Sequence, residues 1–389
     1  MNRSDIHREF LAALLALRDN RCIRQVRLIS RLYNDELLGG DSTATTYVFI
    51  PDLHLLSAAA ERRYKYGFRK LNPKRAVPRD AVFCELGEKL IALRDTLADD
   101  SRLVTVALGD LIDFWREENE PNEDVTSMAG RIFGEFPDVR DLLVKMGAGS
   151  LRAWLIYGNH EAWDQDGAVD SIPLTRARKS HLLDVGKSTP ILATHGYTFD
   201  GLETMLPARL KEFFVERFGR LASGTKYQLD RRADSAEATA NSGPRGDPPQ
   251  IIEDIHHAEL LADWVNVWAT NQFAGPDDLQ RSHSFLPAVT ELAGGLRQGR
   301  QSALDEMDLG DEGPLPDLRA VIIGHTHHAR ISVNKDTAAP ERDLVLVDCG
   351  AWIESALFVG ERAAVPSCQV GILCGGDVRI YQLDPVLPG

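Results

Sequence analysis

Five short apolar runs in this chain each end in a cluster of Asp, His, Asn or Gly, and that repeated pattern constrains the fold more than any other feature. The runs are Thr46-Tyr47-Val48-Phe49-Ile50, Leu103-Val104-Thr105-Val106-Ala107-Leu108, Trp154-Leu155-Ile156-Tyr157, Ile191-Leu192-Ala193-Thr194 and Ala320-Val321-Ile322-Ile323. Short β-branched and aromatic stretches bounded by turn formers read as buried strands. Leu344-Val345-Leu346-Val347, Val370 to Cys374 and Val378 to Tyr381 read the same way. Between the first two strands, Val82, Leu86, Leu90, Leu93 and Leu97 recur on one helical face. Strand, helix, strand predicts a layered α/β sheet, with its core in residues 45–200 and 318–389.

Residues 201–317 carry a different period. Leu202, Leu206, Leu210, Phe214, Phe218 and Leu221 form one helical stripe, and Ile251, Ile252, Ile255, Leu260, Leu261, Trp264, Val265 and Trp268 another. Asp230 to Gln250 between them is rich in Ala, Ser, Asp, Gly and Pro and is expected to be a mobile loop. The segment therefore reads as a helical insertion in the α/β core. Residues 1–44 read as a helical N-terminal extension, with an amphipathic helix over 5–20 and a break at Gly39-Gly40-Asp41-Ser42.

Composition narrows the partners. Setting 58 carboxylates against 44 Lys and Arg leaves a net charge of −14, which argues against nucleic-acid binding and attraction to an anionic membrane. No apolar run approaches the ~20 residues that span a bilayer, so at most peripheral membrane contact is expected. Met1 to Arg27 holds no apolar stretch of signal-peptide length. Five cysteines without short paired spacing suit free thiols in a reducing compartment, so the expected location is the cytoplasm.

The chemistry lies in the clusters that close the strands. They are Asp52-Leu53-His54, Gly109-Asp110-Leu111-Ile112-Asp113, Gly158-Asn159-His160-Glu161, Thr194-His195-Gly196 and Gly324-His325-Thr326-His327. Open α/β sheets build their sites at the C-terminal ends of strands, so the five clusters are expected to share one crevice. Imidazole nitrogen, carboxylate oxygen able to bridge, and a neutral amide oxygen together suit Mn, Fe or Zn rather than an all-oxygen Ca site.

In order, these blocks resemble the D-x-H, G-D-x-x-D, G-N-H-D/E, His-Gly and G-H-x-H signature of the calcineurin-like metallophosphoesterase superfamily. The resemblance implies a four-layer α-β-β-α sandwich with a helical cap insertion, and two divalent ions, most simply Mn, with Fe or Zn as alternatives. It assigns metal one to Asp52, His54, Asp110 and His327, and metal two to Asp110, Asn159, His195 and His325, with Asp110 bridging. It further implies hydrolysis of a phosphate mono-, di- or pyrophosphate ester by a hydroxide held between the ions. His160 would assist the leaving oxygen, Asp113 would orient His160, and Glu161 would stand behind the ligands. Arg116 and Arg330 are the expected phosphate-gripping cations, with Arg209 and Lys211 as further candidates.

Within the superfamily, protein Ser/Thr phosphatases follow the second Asp of the second block with Arg-Gly. Here Asp113 precedes Phe114-Trp115, which weakens that alternative. Gly109 to Trp115 and Gly350-Ala351-Trp352-Ile353-Glu354 are instead similar to the branch of UDP-2,3-diacylglucosamine pyrophosphohydrolases. Members of that branch typically carry Arg where this chain has His160, and they are shorter. The expected substrate is a small or lipid-linked phosphoester. A non-catalytic scaffold of the same fold is the rival class, and the chemically competent ligands and His160 count against it. Trp115, Trp163 and Trp352 are expected to pack the core, with a pocket wall as the alternative. Of the histidines outside the blocks, His328 is the one expected near substrate.

Overall fold

A computed structural model describes residues 21–38, 45–64, 68, 71–72, 75–76, 79–96, 103–114, 117, 123–147, 152–161, 172–183, 190–199, 278–325, 329–335, 343–353 and 368–386. The chain forms β1 (Ile23–Tyr33), α1 (Asp35–Leu38), β2 (Thr46–Ile50), α2 (Ala58–Tyr64), β3 (Leu71–Asn72), β4 (Arg75–Ala76), α3 (Arg79–Thr96) and β5 (Leu103–Ala107). Then come α4 (Val125–Glu135), α5 (Pro137–Gly147), β6 (Arg152–Ile156), β7 (Thr175–Arg178), β8 (Ser180–Leu183) and β9 (Ile191–Thr194). Next are α6 (Asp278–Arg297), α7 (Gln301–Glu306), β10 (Ala320–Ile323), β11 (Arg330–Asn334), β12 (Leu344–Asp348), β13 (Gln369–Cys374) and β14 (Asp377–Pro385).

The architecture is mixed α/β, with two mixed sheets. The larger runs in the order β1-β14-β13-β2-β5-β6-β7, and the smaller β11-β12-β10-β9-β8. Neighbours β2, β5, β6 and β7 are parallel, as are β9, β10 and β12. Strands β2, β5, β9, β10 and β12 are buried along their whole length, which is why they read as continuous apolar runs rather than alternating ones.

Strand alternation divides the core into three packed regions. Val48 and Ile50 of β2 face Val82, Leu86 and Leu90 of α3 and the apolar sides of α4 and α5. Tyr47 and Phe49, on the opposite face, meet Ala193, Ile322, Val345 and Val347 of the smaller sheet. The outer face of that sheet, with Leu192, Val321, Ile323, Leu344 and Leu346, is covered by Val289, Leu292 and Leu296 of α6 and Leu304 of α7.

Two expected boundaries change. The helical extension ending at residue 44 is corrected by β1, which pairs antiparallel with β14 and so belongs to the larger sheet. Its sequence mixes Arg with Leu and Ile because it is largely exposed, and no apolar run marks it. Arg27 grips Asp384 through two bonds of 2.6 and 2.7 Å, and Arg31 grips Asp377 at 2.8 and 3.2 Å. The insertion expected over 201–317 also shortens, since α6 and α7 pack on the smaller sheet as part of the core. The expected helix at 5–20, both apolar stripes of the insertion and the loop at 230–250 lie outside the described residues. Among the described residues, no helix is long and apolar enough to cross a membrane, and no cysteine forms a disulfide.

Candidate metal centre

Parallel pairing brings the ends of β2, β5 and β6 to one edge of the larger sheet, and those of β9, β10 and β12 to one edge of the smaller. Bridges between Asp52 and Ala351 and between Leu55 and Ile112 tie the loops that follow. His54, Asp110 and His325 take positive φ values of 49°, 49° and 64°. A side chain in that region costs about 1–3 kcal/mol, so strain gathers where the polar clusters sit. At Gly109, with φ +102°, an added Cβ would lie 2.7 Å from Gly158 N and from His195 Nδ1. At Gly158 it would overlap the Asp110 carboxylate. These two glycines let the β5 and β6 loops touch.

Asp110 is the hub of the cluster. Its Oδ2 lies 3.3 Å from His195 Nε2, 3.6 Å from His54 Nε2 and 3.7 Å from His160 Nε2. Two groups could each hold a metal ion, His54 with Asp110 and His160, and Asp110 with His195 and His325. Asp110 belongs to both. Asp52 accepts the His325 backbone N–H at 3.0 and 3.1 Å, and its Oδ2 lies 3.9 Å from His54 Nε2. Asn159 Oδ1 lies 3.1 Å from His195 Nε2, and His325 Nδ1 lies 3.2 Å from that same nitrogen.

The opposite ring nitrogens are held in place. His195 Nδ1 donates to the Leu108 carbonyl at 2.7 Å. His54 Nδ1 and His160 Nδ1 both reach Asp113, at 3.2 Å to Oδ2 and 2.5 Å to Oδ1. Each ring therefore turns Nε2 toward Asp110. This is the arrangement in which a partner on one nitrogen leaves the other ready to ligate. The donor set is thus one that could hold metal, with buried imidazole nitrogens and carboxylate oxygens converging and the outer ring nitrogens of His54, His160 and His195 already bonded.

The charges of the cluster act strongly on one another. Burial pushes His54 down to about 4, against the pull of Asp113 and Asp110. Burial also disfavours charge on His195, but Asp110 and Asp52 outweigh it and lift the group to about 10. Asp110 is held well below the usual carboxylate range because His160, His195 and His54 overcome the effect of its burial. Glu161 rises to about 7, first through burial and then through repulsion from Asp110.

The structure brings together Asp52, His54, Asp110, Asp113, Asn159, His160, His195 and His325 from the expected set. His327 and Arg116 lie outside the described residues, as do His328, Trp115, Trp163, Arg209 and Lys211. Arg330 opens the edge strand β11, opposite Asp348. Trp352 is fully buried and packs edge-on against Phe83 at 5.3 Å, a core role that removes it as a pocket wall. His181 packs against Trp154 at 4.9 Å, as expected of a packing histidine.

Two neighbours of the cluster were not anticipated. The Tyr197 ring lies 6.0 Å from that of His195, and Lys179 Nζ lies 5.8 Å from the Tyr197 ring. Lys179 immediately precedes Ser180, which pairs with Thr194, the residue before His195. Finding it requires β8, whose Ser-His-Leu-Leu carries no strand pattern. Asp113 holds His160 as expected, and its second hold, on His54, is the part that spacing does not show. Compared with protein-family models the chain gives no match, and compared with curated proteins it finds no relative.

Proposed function

We propose that the chain is a phosphoesterase of the calcineurin-like metallophosphoesterase kind, a four-layer α-β-β-α sandwich that hydrolyses a phosphate mono-, di- or pyrophosphate ester of a small or lipid-linked substrate. The observation that carries this reading is Asp110, one buried carboxylate common to two metal-competent groups. Such sharing suits a pair of cations held by Asp52, His54 and Asp110 on one side and by Asp110, Asn159, His195 and His325 on the other, with His327 completing the first set. When bound, two such ions supply Lewis-acid charge at the phosphoryl oxygens and a water nucleophile near neutral pH.

The protein's own groups account for the rest. His160 is held by Asp113 so that Nε2 faces the cluster, where it can carry a proton to the leaving oxygen. Asp113 restricts the ring to one tautomer and one orientation. Lys179, over the ring of Tyr197, which in turn neighbours His195, and within electrostatic reach of Glu306, is a further candidate for gripping a non-bridging phosphoryl oxygen alongside Arg116 and Arg330. Little solvent reaches Asp52, Asp110, Asp113 and His195, and polar interactions there are stronger than in water.

The test is turnover of Mn-loaded protein on an aryl phosphate, a bis-aryl phosphate and a nucleoside diphosphate conjugate. Hydrolysis of at least one, lost on Asp110→Asn together with bound metal, is the expected result. Fully metallated protein that turns over none of the three refutes the proposal and favours a scaffold.

A further inference from the structure

Glu161 was expected only to stand behind the ligands, yet it makes the densest set of backbone contacts at the site. Its side chain is fully buried. Oε2 accepts the N–H of Gly158 at 2.7 Å and of Asp110 at 3.0 Å. Oε1 accepts the N–H of Leu111 at 2.6 Å and of Ile112 at 3.2 Å. One carboxylate thus saturates four amides from two loops, the one after β5 that carries Asp110 and the one after β6 that carries Asn159 and His160.

Asp110 needs such a restraint. Its backbone is in the left-handed region at φ 49°, which strains a residue with a side chain even though Asp adopts it more readily than most. Three consecutive N–H groups, those of Asp110, Leu111 and Ile112, turn toward Glu161 only while the chain keeps that turn. The His160 N–H meanwhile donates to Asp110 Oδ1 at 3.0 Å, leaving Oδ2 facing the three imidazoles. Building on the two-metal reading above, we infer that Glu161 is the positioning residue that sets the bridging geometry of Asp110, coupling both ion sites through the backbone without touching either ion.

Glu161→Gln separates this role from simple space filling. The amide keeps size and shape but has one acceptor oxygen, so it holds one pair of N–H groups and presents its own NH2 to the other pair. The probe is Mn2+ alone, followed by calorimetry and electron paramagnetic resonance. Supporting partners of metal ligands are typically worth about 10- to 100-fold in affinity, and a loss of that size is expected for Glu161→Gln at both ions together. The exchange-coupled two-ion signal should give way to that of isolated Mn2+. Glu161→Asp, which retains both oxygens on a shorter stem, should fall between and decides the question should Glu161→Gln not fold.

Amide hydrogen exchange on metal-free protein distinguishes the two possible failures. Faster exchange at 110–112 and 158 in Glu161→Gln, with β5 and β6 still protected and Mn2+ weakened at both ions, supports the inference, and faster exchange with Mn2+ affinity within threefold of wild type overturns the coupling. Unchanged exchange and Mn2+ affinity within threefold of wild type overturn the inference while leaving the two-metal reading intact. Wild-type protein that takes up no Mn2+ overturns that reading, and the coupling of ion sites with it.

Discussion

Replacing Asp113 by Asn should damage metal binding and turnover at once, because one carboxylate orients two histidines. His160 Nδ1 lies 2.5 Å from Asp113 Oδ1 and His54 Nδ1 lies 3.2 Å from Oδ2, so both rings are held by it, with His54 Nε2 turned to ligate and His160 Nε2 turned to carry a proton. An Asn offers one acceptor and one donor. Whichever ring meets the amide NH2 must turn its Nδ1 into an acceptor and carry its proton on Nε2, where it can no longer ligate. Losing a hydrogen bond to a charged group costs about 1.5–3 kcal/mol, or about 10- to 150-fold at 1.4 kcal/mol per decade. Asn should retain the shorter bond to His160, so the larger share of that loss falls on His54 and appears as weaker Mn2+ binding. Turnover falls further, because His160 loses part of the hold that aims its Nε2 at the cluster. His160→Ala is the control, expected to lower turnover by about 10²–10⁴-fold while keeping Mn2+, since the bond from His54 to Asp113 survives. Calorimetric Mn2+ titration beside kcat on a bis-aryl phosphate measures both effects. Wild-type Mn2+ affinity in Asp113→Asn refutes the reasoning. Metal loss in His160→Ala equal to that in Asp110→Asn makes His160 a ligand, a role its grouping with His54 and Asp110 permits.

Gly158→Ala should abolish two-ion binding, since the new methyl overlaps the Asp110 carboxylate, with about 1–3 kcal/mol of destabilisation from overpacking, read by urea unfolding and Mn2+ titration. Trp352→Ala should cost about 3–5 kcal/mol in urea unfolding, whereas Trp352→Phe should leave KM unchanged, because the ring packs on Phe83 inside the core. Lys179→Ala should raise KM for an aryl phosphate and leave Mn2+ affinity unchanged; an unchanged KM would remove Lys179 from the phosphate-binding set. Burial, followed by repulsion from Asp138 and Asp80, pushes Cys84 up to about 12. Only the thiolate reacts, so alkylation of Cys84 at pH 8 should run about 10⁴-fold below its fully ionised rate and rise about tenfold per pH unit until near 12, as mass spectrometry of alkylated peptides can follow.

What could be read in the sequence follows burial. Central strands are covered on both faces, so β2, β9 and β10 appear as unbroken apolar runs whose limits match the structure residue for residue. Edge strands lack that cover. β1 and β11 spend their side chains on solvent and on cross-strand ion pairs such as Arg27 with Asp384, and their residues carry no apolar signature. The site divides along the same line. Side chains that would ligate metal must be His, Asp or Asn, and they follow buried strands, so Asp52, His54, Asp110, Asn159, His195 and His325 are visible as residue types in place. What holds them is largely backbone. Glu161 acts on four amides, His195 is fixed by the Leu108 carbonyl, and Asp52 receives the His325 N–H. Every residue has these backbone groups, so sequence cannot mark which of them are used. The glycines are the exception, because close approach at Gly109 and Gly158 leaves no space for a side chain, a requirement that shows in the residue itself. Lys179 shows the remaining limit. Its relation to His195 comes from the register of β8 against β9, a long-range pairing that neither strand's own residues specify.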